Sequence, residues 1–382
     1  MLQYDLLIAN GEVIDPATKT RQRLDVAIAG GRIARVGAYI PAEEAGWVLD
    51  ATDRLVVPGL IDMHTHLGFE LHTIVVEADD ICPRSGVTTA VDMGSTGAFA
   101  FPWYREKVQK RATTRVLEFL NIASLGTIAI HTPYYVERYG RYIDERDTLR
   151  IIEENREYIR GIKVFATSAM VGEWALGAVQ AAKRVAKAAG VPVAVHVSVA
   201  PPAVEDILTQ LEAGDIMTHS FTPHTQGILD EDGRVRPAVR EARARGVLFD
   251  LGHGAGSFSF RVAEKALAQG FLPDTISTDI YYANIESPVM DLPTTMSKFL
   301  NLGLSLEETV ARSTLHPAQA LGDAERGTLQ PGQIADVAVL ALREGQFPLI
   351  DVEKRVIQGK WKLECEATIS DGHIIYQKTG EK

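Results

Sequence analysis

The run Leu55-Val56-Val57-Pro58-Gly59-Leu60-Ile61-Asp62-Met63-His64-Thr65-His66 constrains the fold of this chain more than any other stretch. From Leu55 to Met63 it is almost continuously apolar, the pattern of a strand buried on both faces. It ends in two histidines spaced i, i+2, which an extended strand projects to the same side. Imidazole is the commonest protein ligand for zinc-like ions, so His64 and His66 form a candidate half-site for a metal. Two surface histidines where a strand runs into a loop would look the same in isolation, so the motif needs support from ligands elsewhere.

The middle of the chain alternates helices with strands. Helical stretches at Gln180–Ala189, Val204–Ala213, Val235–Arg245 and Arg261–Gln269 stop at Gly190, Gly214, Gly246 and Gly270, and glycine after a helix is the usual left-handed cap. Apolar runs follow at Val191–Val197, Asp215–His219, Val247–Gly252 and Thr275–Asp279. Earlier strand candidates are Leu55–His66, Val87–Asp92, Val116–Ala123 and Gly161–Ala166. Eight strands over roughly 250 residues predict an α/β fold, a (β/α)₈ TIM barrel spanning 57–325. The two ends read differently. Short apolar runs punctuated by Asn10-Gly11 and Gly30-Gly31 carry hairpin signals, and the far end of the chain has the same texture. Residues 1–56 and 326–382 are therefore expected to form one small β-sandwich with the barrel inserted between its halves.

The 382 residues are 46% hydrophobic and 23% charged, which suits an ordinary globular protein with a sizeable core. A formal charge of −11 argues against nucleic acid or an anionic membrane as the main partner and leaves a small molecule as the expected one. Cys82 and Cys365 are far apart and in no Cys-x-x-Cys spacing, so they read as reduced structural thiols. The sequence has no signal-peptide pattern and no long apolar run, which makes a cytoplasmic location the expectation. A homo-oligomeric assembly is expected too.

Barrel enzymes build their sites at the C-terminal ends of strands, and the polar residues fall there: His64 and His66, then Lys163, His196, His219 and Asp279. Singly, each has a structural explanation, such as a hydrogen-bonded histidine or a capping aspartate; six together point to a metal centre. An ammonium at Lys163 would repel a metal. A lysine buried among cations, however, loses its proton more readily, and the neutral amine can take up CO₂ to give a bridging carbamate. The same position would also suit a lysine reaching out of the barrel mouth.

The sequence from Val56 to His66, with Gly161-Ile162-Lys163, His196, His219 and Ser277-Thr278-Asp279, resembles the amidohydrolase superfamily in its binuclear form with a carboxylated lysine. The stretch from Gly327 to Asp336 resembles the same family, so the similarity covers nearly the whole chain. Within it, Asp215 to His219 and Gly252 to Phe260 resemble a dihydroorotase-like branch whose members remove acetyl groups from N-acetyl or O-acetyl small acids. The resemblance implies that His64, His66 and Asp279 hold one divalent ion, expected to be zinc, and His196 and His219 a second, bridged by a CO₂-derived carbamate on Lys163. It implies a deacetylase cleaving amide or ester bonds through a hydroxide shared by the ions, with Asp279 as catalytic acid and base. A cyclic amide hydrolase is the alternative. An inactive scaffold relative would have lost ligands, and all six are present. Two positions depart from the pattern. Dihydroorotases carry an arginine two residues after the second histidine, where this chain has Gly68; the deacetylase branch often has one two residues after the lysine, where this chain has Phe165. The expected substrate is correspondingly less polar. His253, Ser257 and Trp174 are candidate substrate contacts. His72, His131 and His224 lie in loops that could line the pocket, whereas His316 and His373 read as structural.

Overall fold

The computed structural model describes residues 2–68, 71, 74–128, 130 and 132–378. Two sheets organise it. The first is a single eight-stranded hydrogen-bonded sheet built from both ends of the chain. Its N-terminal strands are Tyr4–Asp15 (β1), Thr20–Ala29 (β2), Arg32–Gly37 (β3), Ala45–Asp50 (β4) and Leu55–Pro58 (β5). The second is a seven-stranded parallel sheet of Leu60–Thr65 (β6), Val87–Asp92 (β7), Arg115–Asn121 (β8), Ile159–Phe165 (β9), Val193–His196 (β10), Ile216–Thr218 (β11) and Leu248–Phe249 (β12), paired in sequence order. Val337–Ile350 (β13), Val356–Ser370 (β14) and His373–Gln377 (β15) complete the first sheet, where β13 pairs with β5.

The expected strand Leu55–His66 is thus two strands in two sheets, parted at Gly59. An added Cβ at Gly59 would fall 2.2 Å from Thr88 Oγ1 and 2.9 Å from Asp336 Cβ, so the crossing point accepts only glycine. Gly59→Ala is expected to destabilise the protein by about 1–3 kcal/mol through overpacking. A urea denaturation midpoint equal to that of the parent would contradict it.

Thr275–Asp279, expected as the eighth strand, forms single backbone bridges instead. Asp250 pairs with Thr275 next to β12, and Thr65 with Ile280 at the other edge. The segment therefore spans both edges of the curled sheet without meeting the criteria of a strand. The helices Ala175–Ala189, Pro237–Ala244 and Phe260–Ala268 lie where the sequence places them, whereas the one from Val204 ends early, at Leu208. Among the described residues no helix is long and apolar enough to cross a membrane.

An apolar floor lies beneath the C-terminal end of the parallel sheet. Ile61, Met63, Val91, Leu117, Phe119, Ala194 and Ile216 form one buried cluster. Ala194 and Ile216 precede His196 and Thr218 by two residues, so these pairs share a face. Met63, by contrast, is only one residue before His64. The register of β6 against β7 shifts between Asp62 and Thr65, an irregularity of the kind that re-aims side chains beside active sites.

Candidate metal centre

His64 and His66 leave the end of β6 and meet Asp279, which follows the bridging segment. The Nε2 atoms of both histidines lie 3.3 Å from the same oxygen, Asp279 Oδ1, and the ligand atoms of all three residues fall within 4.8 Å of one another. Asp279 sits at φ +48, with its amide donating to the His64 carbonyl and its own carbonyl accepting from Asn284 Nδ2. Gly254 completes this corner: a Cβ there would stand 2.3 Å from Asp279 Oδ2, and its φ of +53 disfavours any other residue.

Lys163 rises from β9 into the same cluster, 1% exposed, with Nζ 3.1 Å from His64 Nε2. His219, after β11, has its ring 4.9 Å from that of His64 and 4.3 Å from that of His196, at the end of β10. All six residues are therefore brought together from the ends of four strands and the bridging segment. The Phe165 ring stands 5.1 Å from His196 and lies near Lys163, giving that side an apolar wall.

Burial sets the electrostatics. It holds the His64 and His196 imidazoles well below their usual range, helped by Lys163 and the neighbouring histidines, and lowers His219 to about 4. It also lowers the Lys163 amine to about 8. A neutral imidazole offers a lone pair, and the far nitrogens of three rings in the cluster are engaged. His219 Nδ1 donates to the Gly252 carbonyl at 2.7 Å, His66 Nδ1 lies 2.8 Å from Ser95 Oγ, and His64 Nδ1 lies 2.8 Å from Thr218 Oγ1. Such outer partners orient metal-binding histidines. Ser95 is in turn held by its amide on Asp92 Oδ1, while Asp62 accepts from both Thr278 N and Thr278 Oγ1. Neutral nitrogens, one carboxylate and a readily deprotonated amine, buried around one point, fit divalent cations.

The expected substrate contacts are placed differently. His253 is fully buried, and both ring nitrogens are engaged within the protein: Nδ1 donates to the Gly254 carbonyl at 2.8 Å and Nε2 accepts from Lys298 Nζ at 2.7 Å. Burial and Lys298 keep its pKa well down, while burial lowers Lys298 to about 7. His253 therefore supports the loop and has no free nitrogen for a substrate. Trp174 is 43% exposed and packs on Gly140, where an added Cβ would fall 2.1 Å from its ring. Ser257 is half-buried, with its amide on the His253 carbonyl. His224 lines a cavity of about 220 Å³ together with Asp230 and Arg236. His72 and His131 lie outside the described residues. His316 Nδ1 bonds the Asp274 carbonyl, as a structural histidine would, and both cysteines are free and buried. Thr218, Asp250, Ser95 and Lys298 were missed by sequence reasoning; only Asp250, a carboxylate ending the apolar run from Val247, gave a visible signal.

Histidines, a carboxylate and a buried lysine at the C-terminal ends of parallel strands define a metal-dependent hydrolase. The chain belongs to the Amidohydrolase family, whose sequence profile matches residues 55–375, and it is a hydrolase of carbon–nitrogen bonds. It is 34% identical to a deacetylase of Agrobacterium fabrum (strain C58) over 98% of this chain and 88% of that protein. A crystal structure described as an adenine deaminase is similar with a TM-score of 0.91 at 31% identity, covering 98% of this chain and 100% of the other. A second, described as a dihydroorotase, is similar with a TM-score of 0.89 at 32% identity, covering 98% of each chain.

Proposed function

We propose that the protein is a deacetylase of small acetylated amides or esters that works with two divalent ions, zinc in the first instance. In this reading His64, His66 and Asp279 would hold one ion and His196 and His219 the other, with a carbamate on Lys163 as the remaining ligand. The segment 275–280 closes the curled sheet as the eighth strand of a barrel, and the terminal sheet folds over as a sandwich. When bound, the ions supply Lewis acidity and an activated water.

The chain's own residues do the rest. Oδ1 of Asp279 faces the two histidines, and Oδ2 faces Gly254. Oδ2 takes a proton from the attacking water and passes it to the departing nitrogen or oxygen. The acyl carbon thereby gains the hydroxyl, the bond to the leaving group breaks, and acetate and an amine or alcohol result. Phe165 keeps water away from the His196 side. A carbamate on Lys163 adds negative charge where the bare amine carries none.

The observation that weighs against dihydroorotate as the substrate is at Gly68. An added Cβ there would lie 3.1 Å from Val75 Cγ2 and 3.4 Å from Leu71 Cβ. The place of the dihydroorotase arginine is thus packed with apolar atoms as well as lacking the guanidinium. The name of the Agrobacterium relative supports acetyl removal. The test is a panel of N-acetyl and O-acetyl compounds, dihydroorotate, hydantoin and adenine, assayed on zinc-loaded protein whose metal content is measured. Acetate release with two zinc ions per chain is expected. Ring opening or ammonia release without acetate release overturns the deacetylase reading, and a metal content that stays at or below one overturns the binuclear one.

A further inference from the structure

We propose that Asp250 is a positioning residue that fixes the tautomer of His64 through Thr218 and, through Ser277, anchors the Gly252 turn whose carbonyl fixes that of His219, so that one buried carboxylate is tied to both halves of the metal centre. The proposal rests on the reading of these two histidines as metal ligands.

Asp250 follows β12 and is fully buried. Two hydrogen-bond chains start from its two oxygens. Oδ2 accepts the Thr218 hydroxyl at 2.7 Å, and the same hydroxyl oxygen lies 2.8 Å from His64 Nδ1. The Thr218 proton is committed to the carboxylate, so only lone pairs remain for the imidazole, and the shared hydrogen must sit on Nδ1. Nε2 is left bare, on the side where Asp279 Oδ1 stands 3.3 Å away and Lys163 Nζ 3.1 Å away.

The second chain leads to His219. Asp250 Oδ1 accepts from Thr275 Oγ1 at 2.6 Å and from Ser277 Oγ at 2.7 Å. Ser277 Oγ accepts the Gly252 amide at 2.9 Å, and the carbonyl of that same glycine accepts His219 Nδ1 at 2.7 Å. A carbonyl only accepts, so His219 also carries its hydrogen on Nδ1 and presents Nε2. Ser277 thus anchors both sides of Gly252: its Oγ takes the Gly252 amide, and its carbonyl accepts at 3.2 Å from His253 N, the amide of the peptide that bears the Gly252 carbonyl.

The arrangement depends on an acceptor-only group at position 250. Asparagine keeps the shape and one oxygen for Thr275 and Ser277, but its amide donates toward Thr218. The threonine hydroxyl then turns to donate to His64 Nδ1, which moves the ring hydrogen to Nε2 and removes that lone pair. A role confined to tying β12 to the 275–280 segment would leave the tautomer unchanged.

The experiment is ¹⁵N-histidine NMR on metal-free protein, with the His64 signals identified by their loss in His64→Gln, together with zinc titration against a chromophoric chelator. Wild type is expected to show His64 purely in the Nδ1–H form. Asp250→Asn should show Nε2–H or a mixture, with zinc affinity lowered about 10–100-fold, as for outer partners of ligating histidines. Ser277→Ala should weaken zinc binding in the same range and leave His64 in its native tautomer, and Ser277→Thr should restore wild-type binding. Native tautomer and wild-type zinc affinity in Asp250→Asn overturn the proposal. Should Asp250→Asn fail to fold, wild-type zinc affinity in Ser277→Ala overturns it instead. A tautomer that flips in a protein that never takes up zinc supports the positioning role and sinks the metal reading, so the two failures are distinguishable.

Discussion

Lys163→Ala is expected to lose turnover by more than the ~10–100-fold seen when an outer partner of a metal ligand is removed, and to retain only part of the metal complement. The reasoning starts from burial. Lys163 is 1% exposed, and its amine, lowered to about 8, stands 3.1 Å from His64 Nε2. An ammonium there would oppose any cation held by His64, and a neutral amine is the form that combines with CO₂. Alanine removes the chain that would carry the carbamate and leaves room where its carboxyl group would lie. Acetate or propionate, added at millimolar concentration, should therefore partly restore turnover and metal content in the variant while leaving wild type unaffected. Wild-type turnover in the unsupplemented variant would make Lys163 a bystander. Loss of turnover with full metal content and no rescue would argue against the carbamate while keeping the lysine essential.

The candidate ligands were legible because each ends an apolar run, and the two-residue period of a strand carries its own geometric meaning. His64 and His66 are read from a single segment; the convergence of Lys163, His196, His219 and Asp279 follows once the runs are taken as neighbouring parallel strands. The break at Gly59 was not legible. Leu55–Pro58 and Leu60–Thr65 are both fully buried, so apolar residues continue across the boundary and mask the turn signal of Pro58-Gly59. The register shift between Asp62 and Thr65, beside His64, depends on the pairing of β6 with β7, which no local pattern encodes.

The outer partners were hidden for a related reason. Thr218 reaches His64 across 154 positions, and Lys298 reaches His253 across 45 from the helix Leu292–Asn301. Such pairs exist only after the strands and helices have assembled. The partners of His253 were hidden on the same account: a histidine between glycines gives no sign of the buried lysine that its Nε2 meets.

Asp279→Asn is expected to separate holding from proton transfer at one position. Oδ1, 3.3 Å from both His64 and His66 Nε2, is the oxygen placed to share a cation with them, and the amide oxygen of asparagine can occupy it. Oδ2, which faces Gly254, becomes an NH₂ group that donates and cannot take a proton. Turnover should therefore fall by the ~10²–10⁴ typical of a lost general acid or base, while metal content stays near wild type. The fold should survive, because the backbone bonds that hold this residue, its amide to the His64 carbonyl and its carbonyl to Asn284 Nδ2, do not involve the side chain. Gly254→Ala supplies the contrasting measurement, since its methyl group would lie 2.3 Å from Oδ2 at a φ of +53 and push the whole carboxylate aside, Oδ1 included. It should lose turnover and metal together, whereas Asp279→Asn should lose turnover with metal retained. Near-normal turnover in Asp279→Asn with metal bound would remove the proton-transfer role from Asp279. His253 could not simply replace it, because both of its nitrogens are already bonded within the protein.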